Sequence, residues 1–286
     1  MEAEIVALVL ASAMLHPVWN LILKKEPDPE LGYLGLTVTL ALIGLAQSLA
    51  SGNDFSAILS VLPLVALSWA GQVLYGTCLT ATLSRGDLSA YYPIIRASPL
   101  FVVAAGVLVM GRHYPWPVLL GIAMAVAGGF LLLYRRGTSF LDDPATLGLA
   151  LAAMSGTGIY SIADAQMMQT LTPQMQMFVV EGLLVPFYLS RYLIRARRRD
   201  IVDDRHIARR LAFLFLPGLL AYVSYYLILL AYQWGGEVAA VTAIRQASIP
   251  VSVLLGGYFL REGAMLRRFG AAGLLALGIV VIALYG

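Results

Sequence analysis

The chain has 286 residues, of which 60% are apolar and only 12% are charged, and its mean hydropathy is +0.81. This composition excludes an ordinary soluble domain, in which about a quarter of the residues are charged. The formal net charge is +3, but the basic residues lie beside the ends of apolar runs, which indicates orientation in a membrane rather than binding to nucleic acid.

Apolar segments long enough to cross a bilayer follow one another along the whole chain, each with about 20 residues of helix. Breaks at charges, prolines and glycines predict ten transmembrane helices, at 4–23, 31–51, 58–83, 88–110, 115–134, 146–167, 173–193, 211–232, 237–260 and 267–285. The connections are short except at about 135–145 and 194–210. The predicted fold is therefore an all-α integral membrane protein of the cell membrane, with 1–286 as a single membrane domain surrounded by the lipid bilayer.

The positive charges divide unevenly between the two ends of these helices. The odd-numbered connections hold 16 of the 19 Lys and Arg residues, whereas the termini and the even-numbered connections hold only Arg112. Because Lys and Arg resist translocation, we expect the odd connections, including the Arg-rich loop 194–210, to be cytoplasmic and both termini to be outside.

The chain also resembles itself at an offset of 149 residues. Residues 86–129 align with 235–278 without a gap, and 10 of the 44 positions are identical, including the pair Arg96 and Arg245. This alignment predicts two five-helix halves, 1–137 and 146–286. An odd number of helices inverts the second half relative to the first, and inverted repeats are a transporter architecture with the substrate site near the membrane midplane.

Each half has a Gly-containing fourth helix, a short polar turn (Gly111-Arg112-His113 and Leu260-Arg261-Glu262) and a Gly-rich fifth helix. In these features the chain resembles the EamA type of the drug/metabolite transporter superfamily, although His113 replaces the glutamate usual in the first turn. The resemblance implies a ten-helix transporter of small organic molecules, with a central cavity lined by helices 1, 3, 4, 6, 8 and 9. It also implies a peripheral helix 7. Many members keep their termini in the cytoplasm, whereas the charges here predict the opposite.

Arginines within the predicted spans are the strongest candidates for function, because an ionised side chain at the bilayer centre costs at least about 2.5–3.5 kcal/mol. Arg96 lies about eight residues into helix 4, and Arg245 lies about eight residues into helix 9. The inversion would place them on either side of the midplane, where a guanidinium suits a carboxylate or phosphate. The alternative is that each arginine forms a structural ion pair or caps carbonyl groups.

Polar stripes on helix 1 and its repeat counterpart, helix 6, are also expected to face protein or water. Helix 1 carries His16 and Asn20 with Trp19 beside them, and helix 6 carries Tyr160 and Asp164. His16 is interpreted either as a packing residue or as a gate or proton site. Asp164 is interpreted either as a cavity residue or as a solvated residue near the outer end of its helix.

Further polar and aromatic residues complete the predicted set. Glu181, near the middle of helix 7, is expected to be protonated or paired, with either a structural or dimer-contact role or a role in proton coupling. Proton coupling is a hypothesis for His16, Asp164 and Glu181 alike. The remaining predicted substrate-binding residues are Tyr75, Tyr92, Tyr225 and Gln246.

These features favour a secondary transporter that moves a small carboxylate-bearing zwitterion, such as an amino acid, by alternating access. The alternatives are efflux of amines or cationic drugs, with Asp164 or Glu181 as counter-charge, and a lipid flippase or scramblase with a groove open to lipid. The sequence has no Walker loop, dinucleotide fingerprint, HExxH or CxxC motif. We therefore expect no enzymatic activity, cofactor, metal or nucleic-acid partner; the oligomeric state is left open.

Overall fold

The structure is a computed structural model that describes residues 1–23, 29–85, 88–133, 141, 143–199, 204–251 and 265–285. Throughout these ranges the regular elements are helices. In chain order they are α1 (Ala3–Leu23), α2 (Pro29–Ala50), α3 (Ala57–Ser60), α4 (Leu62–Arg85), α5 (Leu88–Arg96), α6 (Ser98–Leu108), α7 (Trp116–Leu133), α8 (Pro144–Met167), α9 (Pro173–Arg199), α10 (Asp204–Gln233), α11 (Val238–Ile244) and α12 (Met265–Tyr285). The predicted all-α class is confirmed for the described residues.

Seven helical segments of the described chain are long and apolar enough to cross a bilayer. They lie in α1, α2, α4, α7, α8, α9 and α10. Shorter apolar helices occupy Ser98–Leu108, Val238–Val251 and Gly270–Tyr285. Together these segments indicate a multi-pass membrane protein. The ten-helix count with inverted halves remains a prediction.

Helix α8 shows how a helix begins at a polar connection. Asp143 is its N-cap, and Pro144 occupies the first turn, where the missing N–H leaves no hydrogen bond unmade. The Asp143 Oδ1 accepts hydrogen bonds from the backbone nitrogens of Ala145 and Thr146 at 3.0 and 3.1 Å. These bonds satisfy two of the free N–H groups at the start of the helix.

The described structure corrects three sequence expectations about helix continuity. Helix 4 was expected to run unbroken over 88–110, but it is divided into α5 and α6 at Ala97. Helix 9 was expected over 237–260, but it is interrupted by a 3-10 turn at Arg245–Ala247 and then resumes as helix over 248–251; its predicted remainder lies outside the described residues.

The basic stretch is the third correction. A loop was expected at 194–210, but α9 continues to Arg199 and α10 begins at Asp204. The segment contains no Gly or Pro, and its many Arg residues and two Ala residues are good helix formers. Charge alone therefore does not end these helices.

The helices form four extensive pairs, α4 with α8, α7 with α12, α2 with α9 and α1 with α10. Glycines bring three of these pairs, α4–α8, α7–α12 and α2–α9, to backbone contact, as in other membrane helix interfaces. A Cβ on Gly71 of α4 would lie 2.8 Å from the Tyr160 nitrogen, and one on Gly156 of α8 would lie 2.7 Å from the Tyr75 nitrogen. In the α7–α12 pair, a Cβ on Gly128 would lie 2.6 Å from the Leu275 nitrogen.

Apolar side chains cover much of the outer surface, whereas several polar side chains are buried between helices. Leu108, Val109 and Trp116 are 82%, 83% and 73% exposed. Asp164 and Ser68 are completely buried. This distribution is the one expected for helices in lipid, where buried polar groups must find partners inside the bundle.

Candidate functional site

A small cavity in the middle of the bundle is enclosed by α1, α4, α5, α6, α8, α11 and the 3-10 turn, and its volume is about 50 Å³. Its lining residues are His16, Tyr75, Ile95, Arg96, Ser98, Thr157, Tyr160, Thr242, Arg245 and Gln246. We call it the arginine cavity. It brings together six of the predicted substrate-binding residues, including both arginines.

Two broken helices position the arginines. Arg96 is the last residue of α5 and is followed by Ser98 and Pro99 at the start of α6. Arg245 begins the 3-10 turn, and Pro250 follows five residues later. A proline ring clashes with the carbonyl four residues before it and lacks an N–H. Regular helix is thereby disfavoured next to both arginines, and backbone carbonyl groups are freed at the cavity.

The groups around Arg96 connect the two broken helices. Its Nη2 donates to the Ser248 Oγ at 2.7 Å, and its carbonyl accepts a hydrogen bond from the Gln246 Nε2 at 2.7 Å. Ser248 in turn donates to the Arg245 carbonyl at 2.9 Å. The Arg96 Nε is buried and has no hydrogen-bond partner within the described part of the chain. A charged donor therefore remains for a ligand or an ordered water.

Arg245 lies among tyrosines instead. Its guanidinium carbon lies 5.8 Å from the centre of the Tyr225 ring, which is cation–π distance. The Tyr160 hydroxyl lies within hydrogen-bonding reach of it, and Tyr232 also interacts with its charge. Tyr160 packs edge-on against Tyr75 of α4, with ring centres 6.2 Å apart. Arg245 is thus a cation held by neutral phenol groups.

Asp164 lies behind this aromatic group rather than on the cavity. It is completely buried and accepts hydrogen bonds from the Ser68 Oγ at 2.6 Å and the Gln176 Nε2 at 2.8 Å. A third bond comes from the Tyr225 hydroxyl. The interpretation of Asp164 as a solvated residue is therefore wrong, because neighbouring helices close over it. Its carboxyl group joins α4, α8, α9 and α10.

Glu181 and Asp164 are electrostatically coupled inside the bundle. Glu181 is only 6% exposed, and Gln72 of α4 approaches its carboxyl group. Neither acid lines the arginine cavity. The nearest link from this acidic region to the cavity is Tyr225, which donates to Asp164 and faces Arg245. Asp164 is thus a counter-charge for Arg245 that acts through the intervening Tyr225 rather than by direct contact.

Of the residues predicted on the polar stripe of helix 1, one lines the cavity and the others lie outside its lining. His16 lines the cavity and interacts electrostatically with both arginines. Trp19 packs edge-on against the His16 ring, with centres 4.8 Å apart, and its Nε1 is buried without a hydrogen-bond partner among the described residues. The cavity lining does not include Trp19 or Asn20.

Tyr92 and Tyr225 also lie outside the lining. Tyr92 packs against a buried cluster that contains Tyr91 and Ile95, and Tyr225 faces the guanidinium of the lining residue Arg245. The lining residues that were not among the predicted substrate-binding residues are Ile95, Ser98, Thr157 and Thr242. For Ser98 the available signal was the recurrence of Arg, Ser and Pro in Arg96-Ala97-Ser98-Pro99 and in Arg245-Gln246-Ala247-Ser248-Ile249-Pro250.

Comparison with known proteins supports the fold at low sequence identity. No family model matches the sequence, and no curated protein matches it. Among solved structures, 28 chains match. One of them, named "Crystal structure of protein", is similar with a TM-score of 0.75 and 16% identity over 99% of each chain. The chain therefore shares the fold of that structure along its whole length, and at this identity the likeness extends to the fold alone.

Proposed function

We propose that this protein is a secondary transporter of the EamA type that moves a small carboxylate-bearing zwitterion, such as an amino acid, by alternating access. The observation that carries the proposal is the pair of intramembrane arginines on broken helices at one cavity. Their hydrogen-bond partners found among the described residues are neutral hydroxyl groups. Two cations without direct carboxylate partners make a cavity that attracts an anionic group.

The helix pairing supports the inverted-repeat part of the proposal. In the proposed repeat, α1, α2, α4 and α7 of the first half correspond to α8, α9, α10 and α12 of the second. When corresponding helices are exchanged, the pair α1–α10 becomes α8–α4. The pairs α2–α9 and α7–α12 map onto themselves. All four extensive pairs are thus reproduced by the exchange. In this proposal the two halves rock about the arginine cavity, where the discontinuous helices lie.

The size of the cavity supports a transport cycle rather than a static binding site. About 50 Å³ is room for a few water molecules, whereas binding sites for small molecules typically occupy about 300–1,000 Å³. The cavity must therefore open before a zwitterion enters. Alternating access supplies such an opening on each side of the membrane.

The rival functions receive less support from the same residues. Efflux of cationic drugs requires an acid at the cavity, but the buried Asp164 and Glu181 are not among its lining residues. A scramblase requires a polar groove that faces lipid, whereas the arginine cavity lies between six helices. The positive charges of the cavity instead favour a carboxylate.

Counterflow into proteoliposomes tests the function. We expect the purified protein to exchange at least one amino acid in a panel of amino acids, amines and phosphorylated metabolites. Empty liposomes and the double variant Arg96→Gln/Arg245→Gln are the matched controls. Exchange of amines alone, unaffected by the double substitution, would contradict the carboxylate proposal and favour cationic efflux.

The proposed orientation has its own test. Single cysteines at positions 3 and 200, in a Cys78→Ala background, are labelled in intact cells with an impermeant maleimide. We expect labelling at 3 and not at 200, because the Lys and Arg residues are concentrated in the odd-numbered connections. Permeabilised cells should label at both positions. The reverse pattern in intact cells would place the termini in the cytoplasm.

A further inference from the structure

A second cavity lies at the end of the bundle that carries both chain termini. Its volume is about 260 Å³, and it is bordered by the C-terminal ends of α6, α8 and α10 and by the start of α11. The N-terminal nitrogen donates to the Ala283 carbonyl at 3.3 Å, and a Cβ on Gly236 of the cavity wall would lie 3.1 Å from the Ile5 side chain. These contacts place the cavity, which we call the vestibule, at the terminal end.

The vestibule and the arginine cavity follow the same helices. On α11, Val238 lines the vestibule, and Thr242, one turn deeper, lines the arginine cavity. On α6, Val102 and Ser98 have the same one-turn relation. The two cavities are therefore stacked along one path and separated by about one layer of side chains.

Tyr232 belongs to this separating layer. Its side chain borders the vestibule, is only 5% exposed and interacts electrostatically with Arg245 on the other side. Its hydroxyl lies beside Ser161 but makes no hydrogen bond of good geometry within the described residues. Rotation of this side chain would therefore break no hydrogen bond with the described residues.

The vestibule also carries one residue of each charge. Arg112 and Glu237 both line it, and Tyr114 lies between them. The Tyr114 hydroxyl donates to the Glu237 Oε1 at 3.2 Å and also interacts with the charge of Arg112. Burial and the nearby Glu237 carboxylate raise the pKa of Tyr114 to about 12, so the phenol stays protonated and acts as a donor.

We propose that the vestibule is a second, outer binding compartment for the transported zwitterion, with Glu237 facing its ammonium and Arg112 its carboxylate, and that Tyr232 is the gate to the arginine cavity. The zwitterionic substrate rests on the proposed function, whereas the gate does not. The volume of the vestibule, about 260 Å³, approaches the lower end of the range for small-molecule sites. Gln166 and Gln169, which also line it, add neutral hydrogen-bonding groups.

Cysteine labelling tests the gate without any substrate. In a Cys78→Ala background, Gln169→Cys reports on the vestibule and Ser98→Cys on the arginine cavity. A charged methanethiosulfonate is added to the membrane side on which Gln169→Cys reacts. We expect Tyr232→Ala to speed the reaction of Ser98→Cys about tenfold, the effect of removing about 1.4 kcal/mol of barrier.

Tyr226→Ala, a tyrosine of the same helix that borders neither cavity, is the matched control and should leave the Ser98→Cys rate unchanged. If Tyr232→Ala is not monodisperse, Ile162→Ala, which also opens the vestibule wall, replaces it. An equal Ser98→Cys rate in a folded gate variant and its parent overturns the gate.

Counterflow tests the charges of the outer compartment. Glu237→Gln and Arg112→Gln should each raise the KM for the exchanged amino acid about fivefold, as expected for losing one partly exposed charge contact, with kcat largely retained. His113→Gln, beside Arg112 but outside the lining, is the control. An unchanged KM in both variants, with exchange still lost in Arg96→Gln, overturns the compartment and leaves the proposed function intact. If the parent exchanges no amino acid, the proposed function fails, and the labelling experiment still decides the gate.

Discussion

Arg96 and Arg245 occupy matching positions of the sequence repeat, yet their surroundings differ. Arg96 contacts Ser248 and keeps a buried donor without a partner among the described residues. Arg245 lies against Tyr225 and close to Tyr160, with Asp164 one residue further away. Two arginines at matching sequence positions can therefore have different roles. Arg96 is thus the better candidate to contact the proposed substrate, whereas Arg245 is the more firmly packed into the bundle.

Replacing each arginine by glutamine is the strongest test of this difference. For Arg96→Gln we expect amino-acid exchange to fall about 100-fold in kcat/KM, because a charge-assisted hydrogen bond is lost, with little change in Tm. Arg96→Lys should restore little, since an ammonium lacks the planar fork. Arg245→Gln should lower both exchange and Tm. Counterflow and thermal unfolding in detergent measure the two effects; equal Tm losses in both variants would contradict the division of roles.

The support behind Arg245 can be removed next. Asp164→Asn places an NH2 group where three donors converge, so we expect the free energy of unfolding to fall by about 2 kcal/mol. Tyr225→Phe keeps the ring under Arg245 but removes one donor, and about 1 kcal/mol should be lost. Denaturant or thermal unfolding in detergent gives both values. An Asp164→Asn protein as stable as its parent would show that the buried carboxyl group does not hold these helices together.

Removing the hydroxyl group that holds the Arg96 guanidinium should have a smaller effect on exchange. Ser248→Ala removes the acceptor of the Arg96 Nη2 hydrogen bond, and we expect the KM for the exchanged amino acid to rise about fivefold. Ser248→Thr retains the hydroxyl and should recover most of the affinity. If alanine and threonine give the same KM, Ser248 does not position the guanidinium.

Removing the charge of Asp143, which lies away from both arginines, should have the smallest effect on stability. Hydrogen bonds from the Thr146 hydroxyl and from backbone N–H groups lower the pKa of Asp143, the exposed N-cap of α8. A carboxylate whose folded pKa is depressed stabilises the protein above its unfolded pKa of about 3.9 and loses that contribution as the pH falls through the folded pKa. Asp143→Ala should therefore lower Tm slightly at pH 7, and the difference should begin to shrink near pH 4 and vanish only as the pH falls through the lowered pKa of the folded protein. Exchange should be unaffected.

The apolar periodicity and the charges locate the helices, but they do not predict their interruptions. Arg96 and Arg245 were predicted at a common cavity from their depth within helices 4 and 9 and from the repeat, and both line the arginine cavity. The breaks beside them were missed although Pro99 and Pro250 are local signals. Asp164 was misjudged for a different reason. Its partners Ser68 and Tyr225 are 96 and 61 residues away in sequence, and such pairings depend on how helices rotate against one another.

The glycine contact between α4 and α8 determines how wide the arginine cavity can be. Gly71 meets the backbone nitrogen of Tyr160, and Gly156 meets that of Tyr75, so each glycine abuts the cavity tyrosine of the opposite helix. Any side chain at either position would force the helix axes apart and carry both aromatic rings with them. Neither glycine lines the cavity, so substitution at these two positions would test how the distance between the helices limits the size of the proposed substrate.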